Sequence, residues 1–373
     1  MRRVSKVTAA AVGVTLALSA TAACGSKPKD DDDKKADNSA SAPAGTGAST
    51  APKSDFKACM VTDTGGIDDR SFNASSWAGL QQAKAELGVD VKYITSKTEN
   101  DYVPNLNSLV SDKCGLIIAV GGLMADATKA AAAQHKDQKF AIVDAPSVEP
   151  NIQGIEFNTA EAGFLGGYLA AGYSKTGKVG TFGAADIPPV TVFMDGYWEG
   201  VQYYNQTKGK NVQVLGWNEP KADGSITGKF DAPADGERTA NDLIAQGADV
   251  IMPVAGQTGL GAASAVQKSN GKAVAIWVDQ DGYESASQYK SVFLSTVSKD
   301  IKGEVFKAVK AASGGQFSTK ATIGTLANNG VSLSPFHDFE TKVSPELKAE
   351  LETVKADIIG GKIKITSKNQ PTS

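Results

Sequence analysis

Short apolar runs alternate with segments of helical character from residue 55 onward, and this alternation limits the fold more than any other feature. Parallel strands that are buried on both faces read as continuous apolar runs, and a crossover helix usually connects them. The pattern therefore predicts an α/β protein with parallel sheets covered by helices. The predicted strands are 58–61, 91–94, 116–120, 140–143, 179–182, 212–217, 250–253, 274–278 and 292–296. The predicted helices are 71–87, 102–111, 124–135, 159–173, 190–204, 236–246, 259–268, 299–312 and 345–360.

The predicted strands outnumber those that one doubly wound sheet usually contains, so we expect two sheets. We place the first crossing between them at Asn158, because Asn158 or Thr159 can cap the next helix and Glu161 lies in its first turn. A second crossing is expected near residues 280–294. Ligands bind outside the carboxyl ends of parallel strands, so two facing lobes would enclose a cleft rimmed by strand ends.

The first residues have the features of an export signal. Arg2, Arg3 and Lys6 precede an apolar, alanine-rich run that ends in small residues. Such a segment is removed from the mature protein, so residues 1–23 are not counted as part of the fold.

Cys24 directly follows this signal, in a sequence that resembles a lipobox. In a lipobox the thiol accepts diacylglycerol and becomes the new N-terminus; the alternative is a secreted protein cleaved near Ala23. Residues 24–54 are rich in Ser, Ala, Pro and charges without hydrophobic periodicity, which predicts a disordered tether. We expect the folded part to be lipid-anchored on the extracytoplasmic face of the cell membrane.

Charge balance and scarce histidine limit the classes of function. The chain has 38 Lys and Arg against 41 Asp and Glu, a net charge of −3, which does not favour a nucleic-acid partner. His135 and His337 lie far apart and the cysteines are scattered, so we expect no metal site. No GxSxG, GxGxxG or P-loop motif occurs. We therefore expect no catalytic residue and no cofactor.

Cys59 and Cys114 each stand at the start of an apolar run. If the two runs form neighbouring parallel strands, the sulfur atoms lie level with each other. A disulfide is then expected in an oxidising compartment, and two buried free thiols are the alternative.

Acidic residues follow several of the predicted strands. Asp63, Asp144 and Asp279 come directly after apolar runs, where a carboxylate is held rigidly at the cleft rim. Paired carboxylate oxygens suit the vicinal hydroxyls of a sugar or the N–H groups of a purine edge. The alternative for each residue is that it caps the following helix or turn.

The loop after the first predicted strand is dense in charged and small residues. Ser71 is expected to cap the following helix, and Phe72 in its first turn would face the rim, where an aromatic ring can stack on a flat ligand. Asp68 and Asp69 are expected to be solvated. The glycine-rich segment that begins at Gly256 follows another predicted strand and can bring its backbone close to a neutral ligand.

With these residues in view, the segment VTDTGGIDDRSFNASSWAGL resembles the signature of the basic membrane protein family. Its members are lipoproteins of ABC importers and include the purine nucleoside receptor lipoproteins. The likeness extends over residues 55–364 and includes, in the same order as in the family, IIAVGG, GKFDAPADGERTA, GQTGLG, VDQD and STVSKDI.

The resemblance implies two Rossmann-like lobes joined by a three-segment hinge, as in type I periplasmic binding proteins, with a nucleoside between them. We expect residues 55–157 with about 283–320 to form the N-terminal lobe. Residues 158–282 with about 321–373 would form the C-terminal lobe. The implied partners are the nucleoside and an ABC permease in the membrane.

The resemblance also implies roles for individual residues. Phe72 and Phe230 match the two aromatics that sandwich the base. Asp63, Asp144 and Asp279 match the carboxylates that read the base and the ribose. The remaining expected ligand-binding residues are Asn73 at the base edge, Lys299 as a donor to ribose hydroxyls, and the backbone of Gly256 facing the sugar. Trp277 stands where the family commonly has a small residue, and it either packs behind its strand or narrows the pocket.

The sequence therefore favours an extracytoplasmic solute-binding lipoprotein of an ABC importer that binds nucleosides, with purine nucleosides first. The alternatives are a sugar or autoinducer receptor of the same fold, a ligand sensor that partners a membrane regulator, and a secreted nucleoside hydrolase with two acids across the cleft. The preferred base is left open.

Overall fold

The computed structural model describes residues 53–372. The predictions for residues 1–23, for Cys24 and for most of the tether therefore lie outside the described residues. The strands, in chain order, are β1 (Lys57–Thr62), β2 (Asp90–Thr95), β3 (Leu116–Val120), β4 (Phe140–Val143), β5 (Ile152–Phe157), β6 (Lys178–Gly183), β7 (Gln213–Leu215), β8 (Trp217–Asn218), β9 (Asp223–Gly224), β10 (Val250–Val254), β11 (Val274–Asp279), β12 (Phe293–Lys299), β13 (Thr322–Gly324) and β14 (Val331–Leu333).

The α-helices lie mostly between these strands. They are α1 (Phe72–Leu87), α2 (Tyr102–Ser111), α3 (Ala125–Gln134), α4 (Thr159–Tyr173), α5 (Pro188–Lys208), α6 (Pro233–Ala245), α7 (Gln257–Lys268), α8 (Gly282–Ser285), α9 (Ile301–Ser313) and α10 (Pro345–Ile359). Within residues 53–372, no helix is both long enough and apolar enough to span a membrane.

Two six-stranded sheets form the core of the molecule. The first has the order β13-β5-β4-β3-β1-β2 and the second the order β14-β12-β11-β10-β6-β7. All neighbours pair in parallel except β12 and β14, which are antiparallel. Strands β3, β4 and β10 are buried at every position, as expected for sheets covered on both faces. The predicted α/β fold with two facing parallel sheets is confirmed.

The chain crosses between the sheets three times. The first crossing joins β5 to α4 at Asn158, the predicted place. The second was expected near residues 280–294, but β12 pairs with β11 as far as Ser298 and so belongs to the second sheet. The crossing therefore follows Lys299. The third crossing joins β13 of the first sheet to β14 of the second.

This strand order corrects the predicted lobe boundaries. The segment that returns to the first sheet begins after Lys299 and ends with β13, instead of spanning about 283–320. Its helix α9 packs on α1 so closely that a Cβ on Gly79 would lie 2.6 Å from the Lys302 carbonyl oxygen. Strand β12 is buried at all but one position, as an inner strand of either sheet would be, so its sequence alone does not show which sheet it joins.

The structure contains a disulfide between Cys59 and Cys114, with Cα atoms 6.0 Å apart. Cys59 lies in β1, and Cys114 precedes the neighbouring parallel strand β3. The bond therefore ties two adjacent strands of the first sheet at the ends that lie away from the cleft.

Removing this disulfide is expected to lower the free energy of unfolding by about 2–5 kcal/mol, because the link restricts the unfolded chain. The double variant Cys59→Ala/Cys114→Ala, measured by urea unfolding, tests this. Wild-type protein with a thiol reductant is the matched control and should approach the same midpoint. An unchanged midpoint in the double variant would contradict a stabilising role.

Candidate functional site

A cavity lies between the carboxyl ends of the strands of the two sheets. Its empty space, including the part open to solvent, is about 530 Å³. All eight residues that the sequence predicted as ligand-binding line it. They are Asp63, Phe72, Asn73, Asp144, Phe230, Gly256, Asp279 and Lys299.

Asp63 follows β1 and is 5% exposed. Its Oδ1 accepts hydrogen bonds from the Gly65 backbone N–H at 2.9 Å and from Asn73 Nδ2 at 2.8 Å. Its Oδ2 lies so close to Gly121 that a Cβ there would come within 2.9 Å, and Gly121 also has a φ of +122°. Glycine at this position thus allows the backbone to approach the carboxylate. Burial raises the pKa of Asp63 to about 6.

Asp69, expected to be solvated, is buried and caps helix α1. Its carboxylate accepts the backbone N–H groups of Ser71, Asn73 and Ala74 at 3.0, 2.7 and 3.0 Å. These groups have no partner within the helix, and an acid at a helix N-terminus is favourable. Ser71, the predicted cap, makes no such bond. Its hydroxyl instead donates to Asp279 Oδ2 of the facing sheet.

The amide of Asn73 is oriented by two carboxylates. Its Nδ2 donates to Asp63 Oδ1 at 2.8 Å and to Asp69 Oδ2 at 3.1 Å. Because an ionised carboxylate only accepts hydrogen bonds, the amide nitrogen must face these two groups. Asn73 Oδ1 is then left buried, and it has no hydrogen-bond partner among the described residues. It is a free acceptor beside the cavity.

Asp144 directly follows β4 and Asp279 ends β11, and the two residues have positive φ values of +63° and +70°. This left-handed conformation is uncommon for residues other than glycine, although Asp and Asn tolerate it best, and such residues cluster at functional sites. Here it places two carboxyl groups from facing sheets at one cavity.

Lys299 is the last residue of β12, and its side chain is 2% exposed. Its Nζ donates to Asp144 Oδ2 at 2.6 Å and lies 3.7 Å from Asp279 Oδ1. The ring of Phe193 also lies 4.7 Å from this ammonium. Burial raises the pKa of Asp144, and the Lys299 ammonium opposes that shift. The buried cation thus joins carboxylates from both sheets.

Aromatic side chains from both lobes reach the cavity. Phe72 is the first residue of α1, and Phe230 lies in the loop before α6. Gly256 lies beside Phe230, and its φ of +54° is a left-handed conformation that favours glycine. Phe193 of α5 also lines the cavity. Phe193 is not among the predicted site residues, because an aromatic side chain inside a largely apolar helix is typical of the core.

Trp277 packs behind its strand, the first of the two expected alternatives. Its side chain is fully buried against the ring of Phe293, with centroids 5.3 Å apart, and it does not line the cavity.

Neither histidine lines the cavity; His337 bonds to Asp281 Oδ2 at 2.6 Å. The cavity therefore combines flat apolar surfaces with fixed hydrogen-bonding groups, the usual composition of a small-molecule site.

Comparison with known proteins gives a consistent assignment. The family model described as "ABC transporter substrate-binding protein PnrA-like" (Bmp) matches residues 56–369. The ABC transporter nucleoside-binding protein BmpA of Lactococcus lactis is 33% identical over 344 residues, which cover 87% of this chain and 92% of that protein. A lipoprotein of Pyrococcus horikoshii is 34% identical over 284 residues, covering 74% of this chain and 68% of that protein.

A solved structure extends the likeness to three dimensions. The solute-binding protein of an ABC transporter system from Aeropyrum pernix K1 superposes with a TM-score of 0.76 at 28% identity, covering 85% of this chain and 94% of that chain. The family match, the relatives and the fold agree. The chain therefore belongs to the Bmp family of PnrA-like ABC transporter substrate-binding proteins.

Proposed function

We propose that this substrate-binding protein takes nucleosides, purine nucleosides first, in the cavity between its lobes. The observation that carries the proposal is the composition of that cavity. Phenylalanine rings from both lobes line it together with four carboxyl groups and a buried lysine. A nucleoside needs both kinds of surface, because its base is flat and its ribose is rich in hydroxyls.

The base is expected to lie against Phe72 and Phe230, where stacking favours any flat base. Stacking on an aromatic side chain is worth about 1–3 kcal/mol per base in nucleic-acid complexes. Asn73 Oδ1 has no partner, and Asp63 Oδ1 already accepts two hydrogen bonds while Oδ2 accepts none within the described residues. Both free oxygens are acceptors, so they suit a base edge that carries N–H donors.

The ribose is expected to lie at the other pole of the cavity, beside Asp144, Asp279 and Lys299. Carboxylates accept hydrogen bonds from vicinal hydroxyls, and the ammonium of Lys299 donates to a sugar oxygen. A ligand without these hydroxyls would leave buried polar groups unpaired, which is the basis of strong selectivity.

Binding would close the lobes about the three crossings, and the closed form would deliver the nucleoside to a membrane permease without covalent chemistry. We propose that diacylglycerol on Cys24 anchors the protein on the extracytoplasmic face. Two facts support this placement: a relative carries the name lipoprotein, and disulfides such as Cys59–Cys114 persist in oxidising compartments.

Calorimetric titration of the part of the chain from Asp55 to Ser373 tests the proposal, after unfolding and refolding to remove carried ligand. The panel is adenosine, guanosine, inosine, uridine, cytidine, the free bases, ribose and galactose. Tight binding of nucleosides without release of free base is the expected result. Binding of sugars alone would favour a sugar receptor, and free base accumulating during incubation would favour a nucleoside hydrolase.

The variant Phe72→Ala is expected to weaken nucleoside binding roughly 5- to 150-fold, the equivalent of about 1–3 kcal/mol of lost stacking. Phe306→Ala is the matched control, because Phe306 is also partly buried but lies on α9 outside the cavity. Calorimetry on both variants measures the effect. Equal losses in the two variants would contradict a stacking role for Phe72.

Asp279→Asn is expected to reduce the preference for ribose. The wild type should bind a ribonucleoside at least about tenfold more tightly than its 2′,3′-dideoxy analogue, and the variant should lose most of that ratio. Asp281→Asn, two residues away and outside the cavity, is the control. A ratio that stays at the wild-type value in Asp279→Asn would exclude Asp279 as a ribose acceptor.

Nucleoside affinity is expected to fall below about pH 6, because burial raises the pKa of Asp63 to about 6. The carboxyl is ionised above that pH and protonated below it, so an acceptor oxygen is lost on acidification. Affinity should fall by up to about tenfold per pH unit below the pKa. Titrations of the wild type and Asp63→Asn at about pH 5 and about pH 7.5 measure this. A pH dependence that persists unchanged in Asp63→Asn would refute the assignment.

A further inference from the structure

Trp277 makes a contact across the cleft although it does not line the cavity. It belongs to β11 of the second sheet, and its ring is wedged behind that strand: a Cβ on Gly282 would lie 2.7 Å from its Cγ. The indole Nε1 nevertheless donates to the carbonyl oxygen of Arg70 at 3.4 Å. Arg70 lies in the loop after β1, which belongs to the first sheet. The side chain thus connects the two lobes.

A second bond joins the same two segments. Ser71 Oγ donates to Asp279 Oδ2, and both atoms belong to buried side chains. Trp277 and Asp279 are two residues apart on one strand, while Arg70 and Ser71 are adjacent in the facing loop. The loop is therefore bonded to the end of β11 at two successive points.

The residues directly after this contact form part of the ligand cavity. Phe72 and Asn73 follow Ser71 and begin helix α1. Arg70 itself has a φ of +56°, a conformation that a non-glycine residue adopts only when its surroundings hold it there. A bond that holds the Arg70 carbonyl thus also sets the position of the stacking ring and of the Asn73 amide relative to the second lobe.

We propose that Trp277 is a positioning residue that latches the closed form of the protein. It holds the loop that carries Phe72 and Asn73 against the second lobe, and it slows release of the ligand without touching it. This inference rests on the proposed function, since it assumes a ligand enclosed by the two lobes.

The size of the effect follows from the length of the bond. A single neutral hydrogen bond is modest in net terms, and at 3.4 Å this one is long. In an open form the indole N–H can bond to water, so its loss is partly compensated. We therefore expect a change of about 3- to 10-fold in affinity, carried by the dissociation rate, because the latch acts only once the lobes have closed.

Trp277→Phe removes the N–H and keeps an aromatic ring that can pack on Phe293. Trp217→Phe is the matched control, because Trp217 is equally a buried indole and its Nε1 donates to Asp195 Oδ1 at 2.9 Å. Trp217 and Asp195 both belong to the second lobe, so that bond does not cross the cleft. The two substitutions change the same atoms and differ in whether the lost bond joins the lobes.

The experiment measures nucleoside association and dissociation rates by stopped flow for the full-length wild type and both variants. Trp277→Phe should dissociate about 3- to 10-fold faster with little change in association rate, and Trp217→Phe should dissociate like the wild type even if it unfolds more easily. An unchanged dissociation rate in Trp277→Phe would overturn the proposal. An equal acceleration in Trp217→Phe would also do so, because it would trace the effect to general destabilisation.

We expect the two lobes to sample the closed form without ligand as well, and the Trp277 bond then protects the loop from exchange. Hydrogen exchange in the ligand-free chain therefore provides a measurement that needs no ligand. Peptides covering residues 63–76 should exchange faster in Trp277→Phe than in the wild type, and should be unchanged in Trp217→Phe. If the wild type binds no nucleoside, the proposed function fails, and this measurement still decides whether Trp277 holds the loop. Identical exchange in all three proteins would refute the latch.

Discussion

The buried ammonium of Lys299 is the group on which the arrangement of the site depends. A cation with a side chain 2% exposed is unfavourable unless it is paired and hydrogen-bonded. Its partners are Asp144, which follows a strand of the first sheet, and Asp279, which ends a strand of the second. Satisfying one charge therefore brings the carboxyl ends of the two sheets together. The space that remains between them is the candidate binding cavity.

The polar groups in the loop after β1 also bond mainly to one another. Asn73 Oδ1, which has no hydrogen-bond partner among the described residues, lies beside the cavity. Asp69 takes the free N–H groups at the start of α1 and so leaves the Ser71 hydroxyl to reach Asp279. The two carboxylates Asp63 and Asp69 both bind the Asn73 amide nitrogen, which leaves its oxygen without a partner. Specificity for a ligand with N–H donors would follow, because the unpaired amide oxygen of Asn73 accepts a hydrogen bond. Trp277, on the side of β11 that faces away from the cavity, joins the loop to the second lobe through the Arg70 carbonyl.

Much of this site could be predicted from the sequence, because parallel strands bring their carboxyl ends to one edge of a sheet. Asp63, Asp144 and Asp279 each follow an apolar run, and that position alone was enough to place them at a common cleft. Phe230 and Lys299 came from the family resemblance, and both line the same cavity. Two predictions were wrong for different reasons. Asp69 caps α1 through backbone groups close in sequence, whereas the cap was assigned to Ser71, which bonds instead to the distant Asp279. Strand β12 was assigned to the wrong sheet, because its sequence suits an inner strand of either one.

The sequence by itself determined the α/β class, the first crossing at Asn158 and the acids that end the strands, because these follow from local periodicity and from the chemistry of single positions. The tertiary structure decided which sheet receives β12, which carboxylate caps α1, and which backbone group Trp277 reaches. The first and the third depend on contacts between residues far apart in the chain. The cap is local, but the alternative cap Ser71 is bonded to the distant Asp279. Burial makes such contacts decisive, because a polar group removed from water must find its partner wherever the fold brings one within reach.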